Sequence, residues 1–165
     1  MDISEGNRLF QEKLRKLREF VESDDIKDMA GREAVKHFQE SFVNEGFTDE
    51  TLDPWKEVER RDPESPWYGH SGQTGKFSEA RTVANILTGE TGDLLKGLTY
   101  VHTDTGVKIT SSTPYGRVHQ FGLAARIYGK KSFLMPARPF MGPSVILKNN
   151  IEDKIGREFI KILKQ

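Results

Sequence analysis

Hydrophobic positions recur at helical spacing toward both ends of the chain and alternate in its middle. Near the start, Phe10, Leu14, Leu17 and Val21 step by four, three and four, which puts them on one stripe of a helix over 3–23. Asp24 and Asp25 then read as a break and a new N-terminal cap. A second helix is predicted from about Ile26 to Asn44, with Val35, Phe38 and Phe42 on its apolar face. "NEGF" ends it, with Gly46 suited to the left-handed position that follows a helix. Far down the chain Ser144 reads as an N-cap. Leu147, Ile151, Ile155, Phe159 and Ile162 follow at steps of four, four, four and three, a closing amphipathic helix of about five turns.

Between these helices the pattern changes. Residues 47–76 are rich in Pro, Gly, Ser and charge and hold both tryptophans; they read as a long excursion with little regular structure. Trp55, after Pro54, is expected to anchor it to the core, while Trp67 and Tyr68 in "SPWYGHSG" are expected to be more exposed, as a contact for a partner. Val83, Ile86 and Leu87 share a helical face, "TGETG" interrupts it, and Leu94, Leu95 and Leu98 resume it. Two β-rich runs, 98–103 and 107–112, flank a turn with Asp104 and Gly106, the clearest hairpin in the chain. Pro114 stops the second strand, and "PYGRVHQFG" predicts a single helical turn. "RIYGKKSFLMPARPF" predicts another hairpin with Gly129 and Lys130 at its turn, and Pro136 and Pro139 keep "MPARPF" extended or at a sheet edge. Helices, then a small antiparallel sheet with a central hairpin, then a long helix make an α+β fold. We read the 165 residues as a single domain, with an N-terminal helical extension over 1–24 and a long loop over 47–76.

Composition narrows the function. The chain has no cysteine, so disulfides, thiolate nucleophiles and Cys-based zinc sites are excluded. No stretch approaches the roughly 20 apolar residues of a membrane span, and the opening residues show no signal-peptide pattern; the expectation is a soluble protein made in the cytoplasm, with no membrane partner. The net charge of zero argues against a dedicated nucleic-acid binder. From Thr99 to Pro143, however, six basic residues (Lys108, Arg117, Arg126, Lys130, Lys131, Arg138) face one acid, Asp104. That segment carries about +5 and the remainder about −5, a division that lets copies of the chain pair with one another.

No catalytic constellation emerges. The four histidines, His37, His70, His102 and His119, form no metal-binding spacing. A two-histidine site from His102 and His119 would need carboxylates that the region lacks. "GHSG" fails the nucleophile-elbow pattern, and "TGETG" lacks the lysine of a phosphate loop. The sequence thus predicts no catalytic residue, metal or cofactor. In "YGRVHQFG", Gly116 and Gly122 let the backbone turn sharply, and His119 is expected to lock the turn through a backbone carbonyl. In "MPARPF", Arg138 is expected to aim its guanidinium at carboxylates of a neighbouring chain or element, with Phe140 and Met141 packed beneath.

The same stretches resemble the phage virion morphogenesis family of tailed phages. The resemblance runs, over roughly residues 30–165, from "AVKHFQESFVNEG" through Trp55 in "DPWKEV". It continues with Thr91, Gly92 and Leu94 in "ILTGETGDL", and with Tyr115, His119, Gln120, Phe121 and Gly122. It ends at Pro136, Arg138, Pro139 and Phe140 in "PARPFMGPS" and a terminal helix. It implies a non-enzymatic virion component of a tailed phage or prophage, acting in tail completion or head–tail joining. By analogy with related neck proteins it would form a ring of six copies with itself and meet other tail or neck proteins, with at most a weak contact with DNA. These residues would be a structural and assembly signature. The rival reading is a nucleic-acid-binding module using the basic 99–143 segment, with Tyr100, Tyr115 and Tyr128 stacking on bases. Others are a metal-dependent hydrolase built on His102 and His119, and a small regulatory or toxin-like domain.

Overall fold

The computed structural model describes residues 2–71, 74–89, 91–127 and 131–165. Two long helices open the chain, α1 (Ile3–Glu22) and α2 (Asp25–Asn44), and a third, α6 (Val145–Lys164), closes it. Between them lie β1 (Gly46–Thr48), β2 (Leu52–Pro54), a 3-10 turn (Glu59–Arg61), and the short helices α3 (Ala80–Val83) and α4 (Asp93–Lys96). Then come β3 (Leu98–His102), β4 (Val107–Ser111), α5 (Gly116–Phe121), β5 (Ala124–Ile127) and β6 (Lys131–Leu134). The fold is α+β. Among the described residues the strands form three separate antiparallel hairpins, β1–β2, β3–β4 and β5–β6, rather than one continuous sheet. No helix among them is long and apolar enough to cross a membrane.

The core is organised on α2. Ala34, Phe38 and Phe42 recur at steps of four, so one face of the helix is apolar and buried. That face meets β3, β4, β1 and α6. Phe42 and Phe140 are fully excluded from water, with ring centroids 5.3 Å apart, and Trp55 stands edge-on to Phe42 at 5.6 Å. Ile86, Leu94, Leu98 and Leu147 complete the cluster.

Several elements follow from local signals. The 98–111 hairpin is in register Tyr100↔Ile109, and Thr103 N–H donates to the Gly106 carbonyl at 2.9 Å to close its turn. Ser144 caps α6, its hydroxyl accepting from Leu147 N–H at 3.1 Å. "MPARPF" follows β6 without regular secondary structure. The second predicted hairpin forms as β5–β6; its expected turn at Gly129 and Lys130, and Tyr128, lie outside the described residues.

Other expectations are corrected. The left-handed residue after α2 is Glu45, at φ 53°, not Gly46. Gly46 instead begins β1, where a Cβ would run into the Asp53 carbonyl across the hairpin. Asp24 makes no side-chain cap for α2; Ser23 Oγ accepts from Asp25 N–H at 3.2 Å instead. Val83, Ile86 and Leu87 do not share a helical face. The helix stops at Val83, the chain extends at Ala84, and Ile86 turns inward while Val83 stays three-quarters exposed. The described residues of the 47–76 excursion have, as expected, little regular structure beyond β1, β2 and the 3-10 turn, but they are fastened to the rest of the chain. Arg60 donates to the carbonyls of Arg81, Ala84 and Asn85. On α1 the predicted stripe faces largely outward, with Phe10, Leu14 and Val21 exposed. The helix rests on α6 along its adjacent flank, through Phe20 edge-on to Phe159 at 5.5 Å.

Candidate functional site

The two stretches singled out in the sequence come together. Helix α5 follows β4 after a turn in which Gly116 N–H donates to the Thr113 carbonyl at 3.2 Å. Gly116 is buried because Leu94 lies against it, 3.1 Å from where a Cβ would sit. The helix ends at Gly122, which is left-handed at φ 64°. A side chain there would also press within 3.0 Å of the Met135 carbonyl and Ala137 nitrogen, so this glycine is required twice over.

The close approach lets 135–141 lie along α5 as a stitched seam. Met135 N–H donates to the Leu123 carbonyl at 3.1 Å, and Arg138 N–H to the His119 carbonyl at 2.7 Å. Gln120 then acts as a surrogate strand. Its amide oxygen accepts from Phe140 and Met141 N–H at 3.0 and 3.2 Å, and its amide nitrogen donates to the Met141 carbonyl at 2.6 Å. Both ends of one primary amide are used on the backbone of a segment that has no strand partner.

The far side of the seam is tied to the 47–76 excursion. Trp55 Nε1 donates to the Pro139 carbonyl at 2.6 Å. Arg138 is buried, and its Nε and Nη2 donate to the Lys56 carbonyl at 3.1 and 3.0 Å, with Nη2 also 3.4 Å from the Glu57 carbonyl. The expectation that Arg138 reaches for carboxylates is therefore corrected: it binds main-chain oxygens within its own chain. A guanidinium suits that task because its fork spans two acceptors from one planar group.

His119 does not lock the turn through its ring. Its Nδ1 is buried without a partner, and the ring meets Tyr115 edge-on at 6.1 Å. Burial, and then the Arg138 cation, hold its pKa below the ordinary histidine value. Tyr115 and Phe121 are exposed, and burial of its hydroxyl together with Asp93 raises the Tyr115 pKa. Thr91 accepts from Lys96 Nζ at 2.6 Å, Gly92 is left-handed at φ 67°, and Leu94 is buried. Among the signature residues, Trp55, Gln120, Arg138, Pro139 and Phe140 thus meet directly, Leu94 supports α5 from below, and Thr91 and Gly92 shape the turn into α4. An open groove of about 650 Å³ runs beside this buttress, between Ile109, Thr113, Arg117, Phe121 and Met141.

His102 and His119 do not approach to form a site. His102 Nε2 lies 2.8 Å from Asp28 Oδ1, and its Nδ1 lies 3.6 Å from Asp24. The Tyr100 hydroxyl donates to the same Asp28 oxygen at 3.0 Å, and with His102 it lowers the Asp28 pKa. Among the described residues no group of three or more histidines and carboxylates is placed to hold a metal.

One hub was missed in the sequence. The Glu45 carboxylate accepts from Arg61 Nη1 and Nη2 at 2.7 and 3.0 Å and from Ile86 N–H at 2.7 Å, while its carbonyl accepts from Trp55 N–H at 2.7 Å. The signal was the acid immediately before Gly46, read only as part of a helix stop.

A family model described as the phage virion morphogenesis family matches residues 58–159. Neither the curated proteins nor the solved structures contain a significant match.

Proposed function

Because the chain belongs to the phage virion morphogenesis family, we propose that it is a non-enzymatic structural and assembly protein of a tailed phage or prophage, acting in tail completion or head–tail joining. The observation that carries this reading is the family match over 58–159, which contains every signature residue except Trp55. The geometry supports it. The side chains of Trp55, Gln120 and Arg138 are consumed in holding backbone to backbone, as a scaffold requires, and they brace the segment against α5, whose Tyr115 and Phe121 stand exposed beside the groove. In this reading copies of the chain close into a ring, of six by analogy with neck proteins, through heterologous contacts. The ring meets other tail or neck proteins, and the protein resides in the virion after synthesis in the host.

Deleting the gene in its parent phage or prophage and imaging the induced lysate by negative-stain electron microscopy tests this. Full heads beside separate tails, or tails of abnormal length, are expected. Normal infectious virions would remove the virion role. A second reading, nucleic-acid binding, draws on Lys108, Arg117 and Arg126, which are exposed on the basic segment. Arg138 is withdrawn from it by burial. Steeply salt-dependent DNA affinity of the free protein would favour this alternative.

A further inference from the structure

The β5–β6 hairpin is an arm. Among the described residues its strands pack chiefly on each other, and an isolated two-stranded hairpin is marginally stable in water unless something covers it. Pairing of Ala124 with Leu134 and of Arg126 with Ser132 places these four on one face. All four are exposed, Leu134 at 76%. Arg126 has no ion-pair or hydrogen-bond partner among the described residues, and from Phe121 to Pro136 the sequence contains no carboxylate.

The β1–β2 hairpin offers the complement. Leu52 is 47% exposed, and its neighbours Glu50 and Asp53 are exposed carboxylates without a side-chain partner among the described residues. From Asp49 to Asp62 six acids stand against three bases, and two of those bases, Arg60 and Arg61, are already engaged within the chain.

We propose that the β5–β6 arm of one copy docks on the β1–β2 hairpin of the next, with Arg126 meeting Glu50 and Leu134 meeting Leu52. The occupant is a second copy of this chain, because the unpaired cation and exposed leucine of one surface match the unpaired carboxylate and exposed leucine of the other. Two different surfaces make the contact heterologous, and its repetition gives a ring or an open chain according to the rotation between copies. The proposal supplies the contact for the ring-forming reading above and rests on it.

The absence of cysteine permits a clean test. Ser132→Cys and Thr51→Cys are made separately in the full chain, mixed at high concentration and treated with a short thiol-specific cross-linker. Cross-linked dimers are expected in the mixture and not from either variant alone. Arg126→Glu is expected to weaken the cross-linking at least tenfold, and pairing it with a Glu50→Lys copy to restore it. Ser132→Cys linking to itself would replace the contact with an arm-to-arm one and overturn the proposal. No cross-link at any concentration, or an Arg126→Glu effect confined to salt-dependent DNA retention, would also overturn it. Mass spectrometry of purified particles tests the virion reading independently. A cross-link formed by a protein absent from particles would leave the contact and sink that reading.

Discussion

Arg138 holds the carbonyl of Lys56 with two nitrogens, across 82 residues of sequence. Neither partner is recognisable from the other: the acceptor is main chain and belongs to no motif. The guanidinium is buried and has no carboxylate within its hydrogen-bond shell among the described residues, so its positive charge is spread over backbone oxygens.

Replacing Arg138 by alanine leaves the Lys56 carbonyl without this partner and removes a buried side chain. A loss of about 2–4 kcal/mol is expected, read as a lowered urea midpoint. Arg138→Lys should recover only part of it, because an ammonium cannot reproduce the planar fork.

Gln120 uses its oxygen and its nitrogen on opposite backbone groups. Gln120→Glu keeps the acceptor but sets a carboxylate against the Met141 carbonyl. The variant should be destabilised by about 1–3 kcal/mol near neutral pH, and the deficit should shrink in acid as the new carboxylate takes a proton. An equal deficit at both pH values would show that the amide nitrogen contributes nothing.

His119 gives the fold a pH dependence of known sign. Its pKa is lowered in the folded chain by burial and by Arg138, so the unfolded chain binds the proton more readily. The stability it contributes is fully present above the unfolded value of about 6.5 and is lost as pH falls through the folded value. Urea midpoints should fall on acidification in that window, and His119→Gln should flatten the slope. Asp28 and Glu57, whose pKa values are also lowered, act only in the more acidic range of carboxylates.

Gly31 on α2 lies under the Tyr100 ring, where a Cβ would collide with it. Gly31→Ala should therefore cost about 1–3 kcal/mol despite the better helix propensity of alanine. Thermal denaturation checks the sign, and a stabilised variant would mean that Tyr100 swings aside freely.

The parts of this fold that were legible in the sequence are those decided within a few residues. Ser144 caps the helix that its own neighbours form, and the 98–111 hairpin is set by alternation and its turn. Family resemblance was legible because it lies in short runs such as "HQFG" and "PARPF". What failed depended on distant partners. The outward stripe of α1 is as apolar as the flank that rests on α6, and only the position of α6 distinguishes them. Glu45 adopts the conformation expected of Gly46 because its carboxylate and carbonyl are held by Arg61, Ile86 and Trp55. Arg138 was expected to meet carboxylates, because its acceptors on the 56–57 backbone carry no sequence signal.

The seam formed by residues 135–141 has a consequence for synthesis. Phe42 and Trp55 emerge from the ribosome early, yet the ring that covers one and the carbonyl that receives the other belong to Phe140 and Pro139. Until that segment is made, the nascent chain carries Phe42 and Trp55 without these partners. Such a chain has to fold after, rather than during, most of its translation, and a polypeptide cut short before Pro136 will be sticky however well its helices form.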